Sequence, residues 1–192
     1  MVGIIVLGGK SIESNQIWVN NVGAALEPYA SSPKSVKVIE YDHWSITREL
    51  NLGTESLKLR DTAKSFTEEP YLVIAKSIGT VIALRSRDRG LINPAGIVGC
   101  GLPFYSPANP AESRENLEKD LPRLLEVNSE LPTWIVQNSN ERFIHPVTLE
   151  RYLEINNLHN YKVIKGTRDV HQYNILFLAQ QVEKYITAHN LR

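Results

Sequence analysis

The chain has 192 residues, 42% hydrophobic and 22% charged, a composition of one globular domain and not of a disordered or membrane-embedded chain. Lysine plus arginine equals aspartate plus glutamate at 21 each, which leaves no overall electrostatic footprint for nucleic acid or an anionic membrane surface. Cys100 is the only cysteine, so no intrachain disulfide forms, and the five histidines are scattered without zinc-type spacing.

The apolar start Val2–Leu7 is too short for a signal peptide and has no basic flank before it. No apolar run reaches the length of a membrane span. The expectation is a soluble, cytoplasmic protein of one domain over residues 1–192, with no metal and no cofactor.

Short apolar runs alternate with longer amphipathic stretches. Strands are predicted at Val2–Leu7, Val36–Tyr41, Tyr71–Ala75, Ala95–Gly99, Thr133–Gln137 and Tyr161–Lys165, several bounded by Pro70, Pro94 or Pro132. Helices are predicted at Gln16–Leu26, Ser56–Phe66, Ile78–Asp88, Glu115–Val127, Val147–Ile155 and Tyr173–His189. Pro122 falls inside the fourth, which implies a kink or a late start. The stretch from Asp42 to Glu69 is mixed and reads as a short helix pair or a flap. Strand–helix alternation of this kind predicts an α/β fold: a three-layer α/β/α sandwich around a six-stranded, mostly parallel sheet.

One segment carries chemistry. The buried-strand pattern Tyr71–Ala75 runs through Lys76 into Ser77, and Ile78-Gly79-Thr80-Val81-Ile82 then opens a helix. Small residues, Ala75 and Gly79, flank Ser77 at two positions on each side. A sharp strand-to-helix turn presenting a serine needs such residues, because it brings neighbouring backbones close together. The strict pattern has glycine where Ala75 stands. Ala63-Lys64-Ser65-Phe66-Thr67 matches loosely too, but no strand precedes Ser65.

In an open α/β sheet, ligands bind beyond the carboxyl ends of the strands. Those positions hold Gly8-Gly9-Lys10, then Ser77, then Asn138-Ser139-Asn140-Glu141, then Gly166 to His171. This order of Gly-Gly, Ser, acid and His resembles the α/β-hydrolase family. Its small single-domain members, serine hydrolases of retinoblastoma-binding-protein-9 type, are the nearest in kind. The resemblance spans nearly the whole chain and implies a sheet order of 2-1-3-4-5-6.

The resemblance also implies roles. Ser77 is the nucleophile, His171 its base, and Glu141 the acid that orients the imidazole. The N–H groups of Ile78 and of Gly8 or Gly9 form the oxyanion hole. The sequence departs from the family at several points. Gly8-Gly9 lacks the histidine common before the oxyanion loop, Lys76 stands where a histidine often precedes the nucleophile, and the acid is Glu and not Asp. Gly8-Gly9 also reads as a plain strand-end turn, and Glu141 as a surface partner of Arg142. Asp169, Asn138 and Asn140 are alternative orienters. His43 is the second candidate base and a pocket residue. Leu102, Phe104 and Tyr105, with Pro103 between them, read either as an apolar substrate pocket or as ordinary loop packing.

The expected partner is a small-molecule acyl substrate, cleaved at an ester, thioester or amide bond; nothing identifies a protein partner. Two other readings stand beside this one: a non-catalytic binding protein on the same fold, and a flavodoxin-like nucleotide or flavin binder. Gly8-Gly9-Lys10-Ser11 is only a partial phosphate loop, and a five-stranded flavodoxin sheet leaves the sixth strand unexplained.

Overall fold

The computed structural model describes residues 2–45, 49–104, 120–140, 143–167 and 172–191. Six strands form one sheet: β1 (Gly3–Leu7), β2 (Val36–Ile39), β3 (Tyr71–Lys76), β4 (Gly96–Cys100), β5 (Thr133–Gln137) and β6 (Tyr161–Lys165). Their order is β2-β1-β3-β4-β5-β6, and every pairing is parallel. This is the expected topology, and it carries the sixth strand that a flavodoxin-like sheet lacks.

β1, β3, β4 and β5 are buried along their whole length. Strands covered on both faces must be continuously apolar, which explains runs such as Leu72-Val73-Ile74-Ala75. β2 and β6 lie at the edges and carry Lys37, Lys162 and Lys165. Charged side chains there discourage pairing with another chain.

The described residues include six α-helices: α1 (Ile12–Leu26), α2 (Leu52–Ala63), α3 (Ile78–Asp88), α4 (Leu121–Val127), α5 (Pro146–Ile155) and α6 (Ile175–Ala188). α1 packs against α6, α3 lies between α2 and α4, and α5 runs along β6. Crossovers between parallel strands are right-handed as a rule, which puts α1 with α6 on one face of the sheet and α2, α3 and α4 on the other. α3 is the central helix, with every residue from Ile78 to Leu84 buried. Each large aliphatic side chain it buries contributes about 1.5–3 kcal/mol.

The boundaries differ from the sequence reading where polar residues are buried. α1 begins at Ile12 and not at Gln16, because Asn15, only 2% exposed, occupies an inward position that apolar periodicity cannot reveal. α2 starts and ends earlier than Ser56–Phe66, capped by the Asn51 side chain on the Thr54 N–H. β2 stops at Ile39, and the predicted flap contains a 3₁₀ turn, Asp42–Trp44, followed by α2. Pro122 sits in the first turn of α4, where its missing N–H removes no helix bond. The described part of this helix runs from Leu121 to Val127; residues 115–119 of the predicted helix lie outside the described residues.

Tyr185 of α6 is fully buried and shows how tightly the sheet is covered. Its hydroxyl donates to the Pro132 carbonyl at 2.9 Å, and its ring meets Trp134 edge-on at 5.3 Å. The backbone of Gly96 lies directly beneath it, so an added Cβ there would collide with the hydroxyl and lie 2.9 Å from the Pro132 oxygen. Gly96→Ala is expected to destabilise the fold by about 1–3 kcal/mol through overpacking. Urea unfolding should show the lower midpoint with an unchanged slope.

Candidate active site

Because all six strands are parallel, their carboxyl ends share one edge of the sheet, and the candidate residues follow those ends. Ser77 directly follows β3 with φ 52° and ψ −118°. These angles are those of the first central residue of a type II′ turn, a conformation that glycine normally supplies. A non-glycine residue held there costs about 1–3 kcal/mol. The turn persists because it is fixed on both sides: the Ser77 N–H donates to the Cys100 carbonyl at 2.8 Å, and the Ser77 carbonyl accepts from the Thr80 N–H at 2.9 Å. Ser77 is 9% exposed, and its hydroxyl meets no hydrogen-bond partner among the described residues.

Gly79 explains the small residue after the serine. A Cβ at Gly79 would lie 2.6 Å from the Gly8 carbonyl oxygen and 3.0 Å from both the Leu7 Cβ and the Tyr41 hydroxyl. The start of α3 therefore rests directly on the loop after β1. Gly79→Ala is expected to lose about 1–3 kcal/mol, since a backbone carbonyl has nowhere to go. Thermal unfolding checks this, and a melting point equal to that of the parent would refute the contact.

The Gly8–Lys10 loop is held by the segment after β2. The Tyr41 hydroxyl donates to the Gly8 carbonyl at 3.1 Å, and Trp44 Nε1 donates to the carbonyls of Gly9 at 3.3 Å and Lys10 at 3.1 Å. Burial, and secondarily the Glu55 charge, push the Tyr41 pKa well above its ordinary value, so it remains a donor. In a trans peptide the C=O and the following N–H point in opposite directions. With the Gly8 and Gly9 carbonyls turned towards residues 41–44, the N–H groups of Gly9 and Lys10 point away from that segment. The Gly9 N–H meets no acceptor among the described residues. Neither glycine has a positive φ. Both are required by proximity: a Cβ at Gly8 would lie 2.8 Å from the Trp44 ring, and one at Gly9 2.8 Å from Asn15 Oδ1.

His43 lies behind this loop. Its Nδ1 is 2.8 Å from Glu55 Oε1 and its Nε2 is 3.0 Å from the Lys10 carbonyl oxygen. Its ring stacks on Tyr41 at 4.9 Å. Both ring nitrogens are thus engaged, and the side chain is 4% exposed. Lys76, also buried, directs its ammonium over the Trp18 ring at 5.3 Å.

The loops after β4, β5 and β6 are tied together at the other end of the site. Gln137, fully buried at the end of β5, accepts from the Leu102 N–H at 2.9 Å and donates to the Ile144 carbonyl at 3.1 Å. Ile144 N–H donates to the Phe104 carbonyl at 2.9 Å. Asn138 Nδ2 donates to the Gln172 carbonyl at 3.2 Å, and its Oδ1 fills the space that a side chain at Gly166 would need. Leu102 and Phe104 are buried, Phe104 against Tyr152 at 4.6 Å. Glu141, Asp169, His171 and Tyr105 lie outside the described residues, but their flanks are placed. Gln172, next to His171, is anchored to Asn138, three positions before Glu141. His145 caps α5 by accepting from the Val147 N–H at 3.3 Å.

The sequence reading did not single out Tyr41, Trp44, Glu55 or Gln137 as supports of this edge. Two signals were available. Glu55 interrupts the inward stripe Leu52, Ser56, Leu59, Ala63, and Gln137 ends an otherwise apolar strand. Among the described residues no group of three or more His, Cys, Asp or Glu side chains is placed to hold a metal ion. No helix among them is long and apolar enough to cross a membrane.

No family model matches this sequence, and no curated protein does. Solved structures match it over nearly its full length. A YdeN-like hydrolase from Pectobacterium atrosepticum aligns with a TM-score of 0.67 at 11% identity, covering 98% of this chain and 92% of its own. The monoacylglycerol lipase of Paleococcus ferrophilus gives 0.67 at 10% identity, with 97% and 95% covered. The ydeN gene product of B. subtilis gives 0.65 at 9% identity and is covered end to end, 100% of each chain. At such identities the likeness speaks to architecture alone.

Proposed function

From the α/β-hydrolase fold, which the chain has in a minimal six-stranded form, we propose that it is a serine hydrolase of esterase type that cleaves a small ester, thioester or amide through an acyl-enzyme on Ser77. The observation that carries this reading is the strained turn at Ser77. A φ of 52° on a serine, between a buried strand and a buried helix at the carboxyl edge of a parallel sheet, is unfavourable for stability. It is what a nucleophile requires to stand clear of the sheet. Structures similar to this chain include a monoacylglycerol lipase and the thioesterase domain of a curacin biosynthetic pathway, which fits acyl-transfer chemistry on this scaffold.

The roles follow from the chemistry of acyl transfer. Ser77 Oγ attacks the acyl carbon while His171 accepts its proton; Glu141 orients the imidazole and stabilises its charged form. The carbonyl oxygen becomes an oxyanion, which takes hydrogen bonds from the N–H groups of Ile78 and Gly9. Of the two loop glycines, Gly9 is favoured because its peptide is turned by the Tyr41 bond to the Gly8 carbonyl. The first N–H groups of a helix have no intrahelical acceptor, so Ile78 is also a ready donor. Collapse expels the alcohol, thiol or amine with the proton from His171, and water repeats the sequence to release the acid. Leu102, Phe104 and Tyr105 are assigned to the wall around the acyl group; His43, engaged behind the Gly8–Lys10 loop, supports that loop instead. The chemistry needs no metal or organic cofactor. Labelling of the purified protein with a fluorophosphonate, with the adduct located by mass spectrometry, tests the assignment; an adduct on Ser77 alone is expected.

A further inference from the structure

We propose that Tyr41 is a positioning residue: its hydroxyl, bonded to the Gly8 carbonyl, holds the Gly9 N–H towards the oxyanion and out of reach of the Asn15 side-chain oxygen. The inference rests on reading the Gly8–Lys10 loop as the oxyanion loop. The Gly8 carbonyl and the Gly9 N–H belong to one trans peptide and point in opposite directions, so whatever holds the carbonyl aims the N–H. The Tyr41 hydroxyl holds it at 3.1 Å in a buried contact. Among the described residues no backbone N–H reaches that carbonyl. Trp44 acts one peptide further on, donating to the Gly9 carbonyl at 3.3 Å and so governing the Lys10 N–H. The Tyr41 bond is also set against the serine turn: a Cβ at Gly79 would lie 2.6 Å from the Gly8 oxygen and 3.0 Å from the Tyr41 hydroxyl. The aim of Gly9 is thereby fixed relative to the helix that begins directly after Ser77.

Asn15 makes that bond consequential. Its Nδ2 donates to the Ser11 carbonyl at 2.6 Å and to Ser14 Oγ at 3.0 Å. A carbonyl only accepts, so the Ser11 contact fixes which end of the amide is nitrogen. The other end, Oδ1, is buried and meets no donor. It lies against Gly9, 2.8 Å from where a Cβ would stand. A buried acceptor without a partner favours any rotation of a neighbouring peptide that brings it an N–H. Turning the Gly8–Gly9 peptide does this, and commits the oxyanion donor to Asn15. The same turn takes the Gly8 carbonyl away from Tyr41 and leaves a second buried acceptor unpaired, so the hydroxyl opposes it. Without the hydroxyl, no listed bond among the described residues holds the Gly8 carbonyl. The N–H then turns to Asn15 and the transition state loses a donor. Complete loss of one such donor lowers kcat by about 100- to 1,000-fold. For partial loss of aim we expect a fall of about 10- to 100-fold.

The test has two arms on the full chain. In the first, NMR residual dipolar couplings read the directions of the Gly9 and Lys10 N–H bonds. Tyr41→Phe keeps the ring that stacks on His43 and removes only the hydroxyl. The Gly9 coupling should change, while that of Lys10, whose peptide Trp44 still holds, stays at its parent value. A Gly9 coupling that does not move overturns the proposal, and so does a change spread evenly over the loop and α3. This arm needs no turnover, so it stands even if Ser77 proves unreactive and the hydrolase reading fails. In the second arm, p-nitrophenyl acetate hydrolysis is timed. Tyr41→Phe should lower kcat by about 10- to 100-fold and leave KM within about threefold of the parent. A parent-like kcat, or a rise in KM alone, overturns the assignment. Asn15→Ala is the second variant, and it separates positioning from general damage. Alone, it should leave the Gly9 N–H direction unchanged, because Tyr41 sets it; a turned N–H assigns the aim to Asn15 and overturns the role of Tyr41, even if Tyr41→Phe folds poorly. Added to Tyr41→Phe, it removes the competing acceptor and should raise kcat by about threefold or more over Tyr41→Phe alone. A double variant no faster than Tyr41→Phe overturns the competition.

Discussion

Ser77→Ala is expected to abolish fluorophosphonate labelling and to lower ester hydrolysis by about 10⁴-fold or more, the order seen when a serine hydrolase loses its nucleophile. A companion variant, Ser77→Gly, makes the result interpretable. Both changes delete the hydroxyl, but only glycine relaxes the backbone. The Ala variant keeps a Cβ at φ 52°, ψ −118° and so keeps the strain. Glycine relieves it, at the cost of a more flexible unfolded chain. The net expectation is that Ser77→Gly unfolds at higher denaturant than Ser77→Ala by about 1 kcal/mol, with both inactive. Stability that rises as activity disappears is the mark of a turn kept for chemistry. Labelling that persists in either variant removes Ser77 as the nucleophile. Equal stability of the two variants removes the strain argument.

The topology was legible because each central strand is covered on both faces. Val73-Ile74-Ala75 and its counterparts must be apolar throughout, and Pro70, Pro94 and Pro132 mark where they begin. The serine turn was legible because steric demands at Ala75 and Gly79 leave a trace in composition. What stayed hidden was everything fixed by a buried polar contact. Asn15 conceals the first turn of α1, since its side chain reaches the Ser11 carbonyl and not the core. Glu55 is an acid on the inward face of a helix, and only its distant partners, the backbone and ring of His43, explain it. Gly8 and Gly9 suggest a flexible turn, yet the Trp44 ring, 36 positions from Gly8, and the Asn15 side chain, six from Gly9, are what require them. Periodicity reports burial; it does not report who the partner is.

The acid of the proposed triad is decided by a paired substitution. Glu141→Ala is expected to lower kcat by about 10⁴-fold with little change in KM, because an unsupported imidazole loses its orientation and charge stabilisation. Asp169→Ala should leave turnover within a few-fold of the parent. The preference for Glu141 rests on its flanks. The loop that carries it leaves β5 at Asn138, which is bound to the Gln172 carbonyl, and returns at Ile144, which is bound to Phe104 and Gln137. In sequence, Glu141 lies midway between these two placed residues, Asn138 and Ile144. Asp169 is two residues before His171 on the same segment. A carboxylate there reaches the imidazole only if the backbone curls on itself, whereas one from a neighbouring loop approaches from the side. Asn138 Nδ2 donates to the Gln172 carbonyl, so Asn138→Ala should loosen the segment next to His171. Full activity in Glu141→Ala together with loss in Asp169→Ala would transfer the role. Full activity in both would mean that the imidazole works without a carboxylate, and the triad would reduce to a Ser77–His171 pair.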